Sequence, residues 1–125
     1  IHGYAILYDA HSIKSRVPRL FDGQLPDLNL GTAKGLSCDR HLAETALKAA
    51  SSGPYSAVMN GRFVGGYITR HYGQPQNGIH AIQMELSQIN YMNEDTFAYD
   101  DERARGLQEI LKRVIENLML CKFAI

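Results

Sequence analysis

Four apolar runs too short for helices alternate with two stretches of helical periodicity, and this alternation restricts the chain to few folds. Tyr4-Ala5-Ile6-Leu7-Tyr8 reads as a buried strand. So do Ser56-Ala57-Val58-Met59, Gly66-Tyr67-Ile68-Thr69-Arg70 and residues 79–86. Asp39 is placed to cap a helix through Leu42, Ala46, Leu47 and Ala50, which Ser51-Ser52-Gly53-Pro54 stops. Leu107, Ile110, Leu111, Val114, Ile115 and Leu118 share one face of a second helix. Strands interleaved with helices make an α/β class. Asn60-Gly61, a hairpin signal, predicts an antiparallel part of the sheet. Residues 18–35, punctuated by Pro18, Gly23, Pro26, Gly31 and Gly35, read as one long loop, of a length that compact domains tend to reserve for function.

At 125 residues and 45% hydrophobic, the chain has the size of one domain or half of a larger one and can bury a core. Thirteen basic and thirteen acidic residues leave no formal net charge, which argues against a nucleic-acid partner. Without an apolar run of membrane-spanning length, no membrane partner is expected. Cys38 and Cys121 have no metal spacing and read as free thiols of a reducing, cytoplasmic compartment. The chain opens on Ile1-His2-Gly3-Tyr4, without Met and directly into a strand. We expect an upstream part to be missing.

Of the five histidines, none belongs to an HExxH motif, and His2 and His41 read as surface residues. His11 follows Asp9 by two residues at the exit of the first strand. A carboxylate there can fix the imidazole tautomer and raise its basicity, as in the outer shell of a metal site; the alternative is a structural hydrogen bond. Glu85 ends an apolar strand, where a carboxylate is costly unless paired or functional. Alternation places Ala81, Gln83 and Glu85 on one face, opposite Ile82, Met84 and Leu86. That polar face is either a solvent-facing edge or the lining of a cleft in which burial tunes Glu85 as a general base. Lys14, Arg16, Arg19, Arg62 and Arg70 lie near loops; arginine suits bidentate carboxylate recognition, and ordinary solvation is an equal reading for any one of them. Gly65-Gly66 allows a backbone to approach a ligand closely.

Several blocks, in order, carry a resemblance. They are Tyr8-Asp9-Ala10-His11-Ser12-Ile13-Lys14-Ser15, Leu25-Pro26-Asp27-Leu28-Asn29-Leu30-Gly31-Thr32, Asn60-Gly61-Arg62-Phe63, residues 65–73 and residues 78–86. Together they resemble the N-formylglutamate deformylase (N-formylglutamate amidohydrolase) family. The resemblance implies a mixed-sheet α/β/α sandwich of the phosphorylase/hydrolase-like, zinc carboxypeptidase-like type, here incomplete, with residues 1–125 as the C-terminal part of a single amidohydrolase domain. It implies metal-dependent hydrolysis of N-formyl-L-glutamate to formate and L-glutamate, a step of histidine degradation. His11 would be a ligand of a divalent metal, zinc first, and Glu85 the general base. Lys14, Asn29, Asn60, Arg62, Thr69 and Arg70 would bind the small acidic N-acyl amino acid, with His71 and His80 open between oxyanion support and structural hydrogen bonding. The family's early His/Glu metal motif is absent, in keeping with a missing N-terminal half of the domain, without which the fragment alone would be inactive. The alternatives are a metallo-deacylase of another N-acyl acidic amino acid and a non-catalytic α/β fragment.

Overall fold

Two nine-residue strands lie side by side at the centre of the architecture. In the computed structural model, which describes residues 2–122, β1 (Ala5–Ile13) runs parallel to β4 (Ile79–Ser87). The ends of the expected span 1–125, residue 1 and residues 123–125, lie outside the described residues. β2 (Leu28–Gly31) pairs antiparallel with β4 on its other side, and β3 (Ala57–Met59) pairs parallel with β2. The sheet is therefore mixed, in the order β1-β4-β2-β3. Helix α1 (Arg40–Ala50) follows β2, α2 (Tyr67–Tyr72) follows β3, and α3 (Asp101–Leu120) closes the chain.

Even-numbered residues of β4 and β2 build the core. Leu28, Leu30, Ile82 and Met84 are buried with Leu42, Ala46 and Ala50 of α1 and Leu107, Ile110, Val114 and Leu118 of α3. Asp39 caps α1 as expected, its carboxylate accepting from the His41 N–H at 2.8 Å. On α3 the buried stripe runs Ala104, Leu107, Ile110, Val114 and Leu118, whereas Ile115, expected on that face, is exposed. Cys38 and Cys121 are free and buried in the core, and burial pushes the Cys38 thiol up to about 12. Among the described residues no helix is long and apolar enough to cross a membrane.

Four expectations give way here. The first strand runs on to Ile13, so His11 lies within it rather than past its end. Residues 66–70 form no strand: Gly66 caps the helix α2, whose Tyr67, Ile68, Arg70, His71 and Tyr72 are exposed. β-branched and aromatic side chains favour strands because they fit a pleated, half-buried surface, and no neighbouring strand supplies one here. The stretch 18–35 contains β2, a strand of only four residues, which Asn29 disguises. Asn60-Gly61 makes no hairpin, because β3 joins the sheet parallel to β2 and the antiparallel pair is β2 with β4. Asn60 instead takes a left-handed conformation, φ 52°.

Candidate active site

The face of the sheet opposite the core is polar. In register, Asp9 lies level with Gln83, His11 with Glu85, Asn29 with Glu85, and Gly31 with Gln83. Residues level with one another project to the same side, so Asp9, His11, Asn29, Gln83 and Glu85 share one surface. The loop before α2 lies across part of it. The Gly66 N–H donates to Gln83 Oε1 at 3.1 Å, and a side chain at Gly31 would meet the Val64 carbonyl carbon at 2.5 Å. Glycine at position 31 thus permits the close approach that holds this loop on the sheet.

Glu85 is 8% exposed, and its carboxylate has no hydrogen-bond or ion-pair partner among the described residues. Burial is the main cause that raises its pKa; His11 opposes the shift and Asp9 adds to it. Those influences set the neighbourhood: one imidazole and two carboxyl groups on adjacent strands. His11 Nε2 lies 2.9 Å from Asp9 Oδ2, with the imidazole 46% and the carboxylate 14% exposed. Asp9 thereby orients the ring, and Nδ1 has no hydrogen-bond partner among the described residues. Asn29 donates from Nδ2 to the Pro26 and Glu85 carbonyls, at 2.8 and 3.1 Å, so the network assigns the amide orientation and leaves Oδ1 buried without a partner. Thr69 Oγ1, fully buried on α2, also lacks a partner. Buried polar atoms without partners are uncommon in folded proteins and call for an explanation, a ligand among them.

The other expected site residues spread outward. Asn60 spends its side chain on the turn after β2: Oδ1 accepts from the Thr32 and Lys34 N–H groups, and Nδ2 donates to Thr32 Oγ1. That turn is left-handed over Ala33, Lys34 and Gly35 (φ 50°, 57° and 89°), and Asn60 holds it in place. Arg62 donates to the Leu20 carbonyl at 2.7 Å and lies over the Phe63 ring, so it tethers the loop before β2. Arg70 donates to the Gly65 carbonyl and, with Lys34, borders a cleft of about 300 Å³ walled by Ala33, Leu36 and Val64. His71 is exposed, stacked on Tyr67 and edge-on to Tyr72. His80 lies on the core face, where its Nδ1 accepts the Asp39 N–H at 3.0 Å. Burial lowers the His80 pKa, against a smaller opposing effect of Asp39. Lys14 lies beyond β1, in a different cleft from Arg70. Sequence reasoning did not find Lys34 or Arg103, which border these clefts, because neither stands in a motif.

Among the described residues, no group of three or more His, Cys, Asp and Glu side chains is gathered as a metal would require. A family model described as N-formylglutamate amidohydrolase matches residues 1–92. The N-formylglutamate deformylase of Pseudomonas aeruginosa is 54% identical over 120 residues, 94% of this chain and 45% of that protein. The N-formylglutamate deformylase of Pseudomonas putida is 53% identical over the same length, again covering 45% of its own chain. The chain thus spans about half the length of these relatives. The crystal structure of N-formylglutamate amidohydrolase from Ralstonia eutropha JMP134 superposes with a TM-score of 0.81 at 20% identity, over 94% of this chain and 44% of that one. This likeness establishes a mixed α/β sandwich-like fold of the same kind.

Proposed function

Because the chain belongs to the N-formylglutamate amidohydrolase family, we propose that it supplies part of the active site of a metal-dependent hydrolase that converts N-formyl-L-glutamate to formate and L-glutamate. The observation that carries this reading is the nearly buried, unpartnered Glu85 carboxylate, level in the sheet with an imidazole that Asp9 orients. The two Pseudomonas relatives named for this activity support the choice of acyl group.

The donor chemistry fits a divalent metal, with zinc as first choice: an imidazole with one nitrogen held by a carboxylate is the usual setting of a metal-ligating histidine. His11 would hold the ion through Nδ1, together with ligands from the part of the longer relatives that this chain does not cover. When bound, the ion supplies Lewis acidity to water and to the formyl carbonyl. Glu85 takes the proton of the attacking water on its carboxylate and later delivers it to the departing amine; burial brings its pKa toward the working range. Asn29 Oδ1 and Thr69 Oγ1 offer unspent hydrogen-bonding capacity to the substrate. Arg70 and Lys14, which border separate clefts, are candidates to supply charge to its two carboxylates. In this reading the zinc carboxypeptidase-like sandwich is completed along β1, which among the described residues is an edge strand paired with β4 alone.

The test uses the intact protein that contains this chain. Formate release from N-formylglutamate is expected to stop on chelation and return with zinc, and chelator-resistant release would contradict the proposal. Glu85→Gln is expected to lower turnover by about 10²–10⁴-fold with metal content unchanged. A near-normal rate would remove Glu85 from the role of base.

A further inference from the structure

Two carboxamides stand on the polar face of the sheet, and their hydrogen bonds are spent in opposite ways. Asn29 commits both Nδ2 hydrogens to the Pro26 and Glu85 carbonyls, which leaves only an acceptor. Gln83 keeps its donors. Its Oε1 accepts the Gly66 N–H at 3.1 Å, which assigns the amide orientation, and its Nε2 has no hydrogen-bond partner among the described residues. Two N–H donors therefore stay unspent on a side chain that is only 6% exposed. Native proteins seldom leave buried donors in that condition without a reason.

Position supplies the reason. Gln83 lies level with Asp9, and Glu85 follows two residues along the same face of β4, about 7 Å away. Gln83 thus borders the place where an acyl group would meet the water that Glu85 activates. The two histidines open to oxyanion support lie elsewhere. His71 is exposed on α2 against Tyr67 and Tyr72, and His80 is on the core face, its Nδ1 accepting the Asp39 N–H. We infer that Gln83 is a further catalytic residue, whose Nε2 donates to the formyl oxygen as it becomes an oxyanion. This rests on the function proposed above. As water adds to the formyl carbon, the carbon–oxygen π pair moves onto the formyl oxygen and Glu85 takes the water proton. On collapse that pair returns, the C–N bond breaks, and its electrons accept the proton from Glu85. The bond to Gly66 fixes the amide beforehand, so the donor needs no reorganisation when the charge develops.

The test uses the intact protein with Gln83→Met, which keeps the volume and removes the donors; Gln108→Met, on the exposed side of α3, is the control. Turnover of N-formylglutamate is expected to fall about 10²–10³-fold, with KM and metal content little changed. Affinity for N-phosphono-L-glutamate, tetrahedral at the formyl position, should weaken about tenfold or more, while affinity for L-glutamate, which lacks the acyl group, stays unchanged. A Gln83 that merely held the loop would weaken both ligands alike, and that result overturns the inference. So does a kcat within about threefold of the parent value. If Gln83→Met does not fold, Gln83→Glu is read by the same criteria, since it keeps an acceptor for the Gly66 N–H and, ionised, carries no donor. A parent protein that releases no formate sinks the proposed function and the inference together; an active parent with an unaffected variant sinks the inference alone.

Discussion

Burial keeps the Glu85 carboxyl protonated to higher pH than the same group in the unfolded chain, whose ordinary value is 4.5. Between that value and the raised one, the unfolded chain has lost the proton while the folded chain retains it. Folding stability attributable to this group therefore falls as pH rises through the window, and the loss is complete above the folded pKa. Gln cannot ionise. In metal-free protein, the Tm of Glu85→Gln relative to the parent is expected to rise as pH passes from 4 toward neutrality. A gap that stays constant with pH would mean that the carboxylate is solvated or paired after all. The singular position of this residue was legible in the sequence, since a carboxylate in an apolar strand demands a reason, and the structure buries it. Its imidazole neighbour was legible only as a candidate. The register that sets His11 level with Glu85 joins positions 74 residues apart in sequence, and no local pattern encodes such a pairing.

At the scale of elements, α1, α3 and β4 were legible because each buries a continuous stripe, whereas β1, half-buried at best, was found only over its apolar first half. The short pieces were not legible. β2 has four residues, and α2 is a six-residue helix rich in strand-favouring side chains, so tertiary contacts decide both. The polar site lies on the long strands, and these short pieces add Asn29 and Thr69 beside it. Gly31→Ala would drive a methyl group into the Val64–Gly65 backbone, and we expect a cost of about 1–3 kcal/mol, read as a lower Tm, with loss of the Gly66–Gln83 contact. Asn60 offers a sharper dissection. Asn60→Gly removes the three side-chain bonds but keeps the left-handed backbone accessible, whereas Asn60→Ala loses both. Denaturant titration should find the Ala variant less stable than the Gly variant by about 1 kcal/mol, since a left-handed backbone penalises a Cβ by that order. Equal stabilities would show that the turn relaxes to another conformation.

Across the whole molecule, one flank of the sheet is closed by the three-residue β3 and the other is left open along all nine residues of β1. Among the described residues, the N–H and C=O groups of β1 that point away from β4 form an unmatched row, next to a cleft of about 410 Å³ lined by Tyr4, Ile6 and Met119. Such a rim accepts any extended polypeptide that reaches it, because main-chain recognition is indifferent to sequence. Prepared by itself, the 125-residue chain should therefore self-associate rim to rim as its concentration rises, and sedimentation velocity would record the growth of dimers and larger species. A Pro within β1, at a position whose N–H faces outward, should return it to monomers while leaving its pairing with β4 untouched.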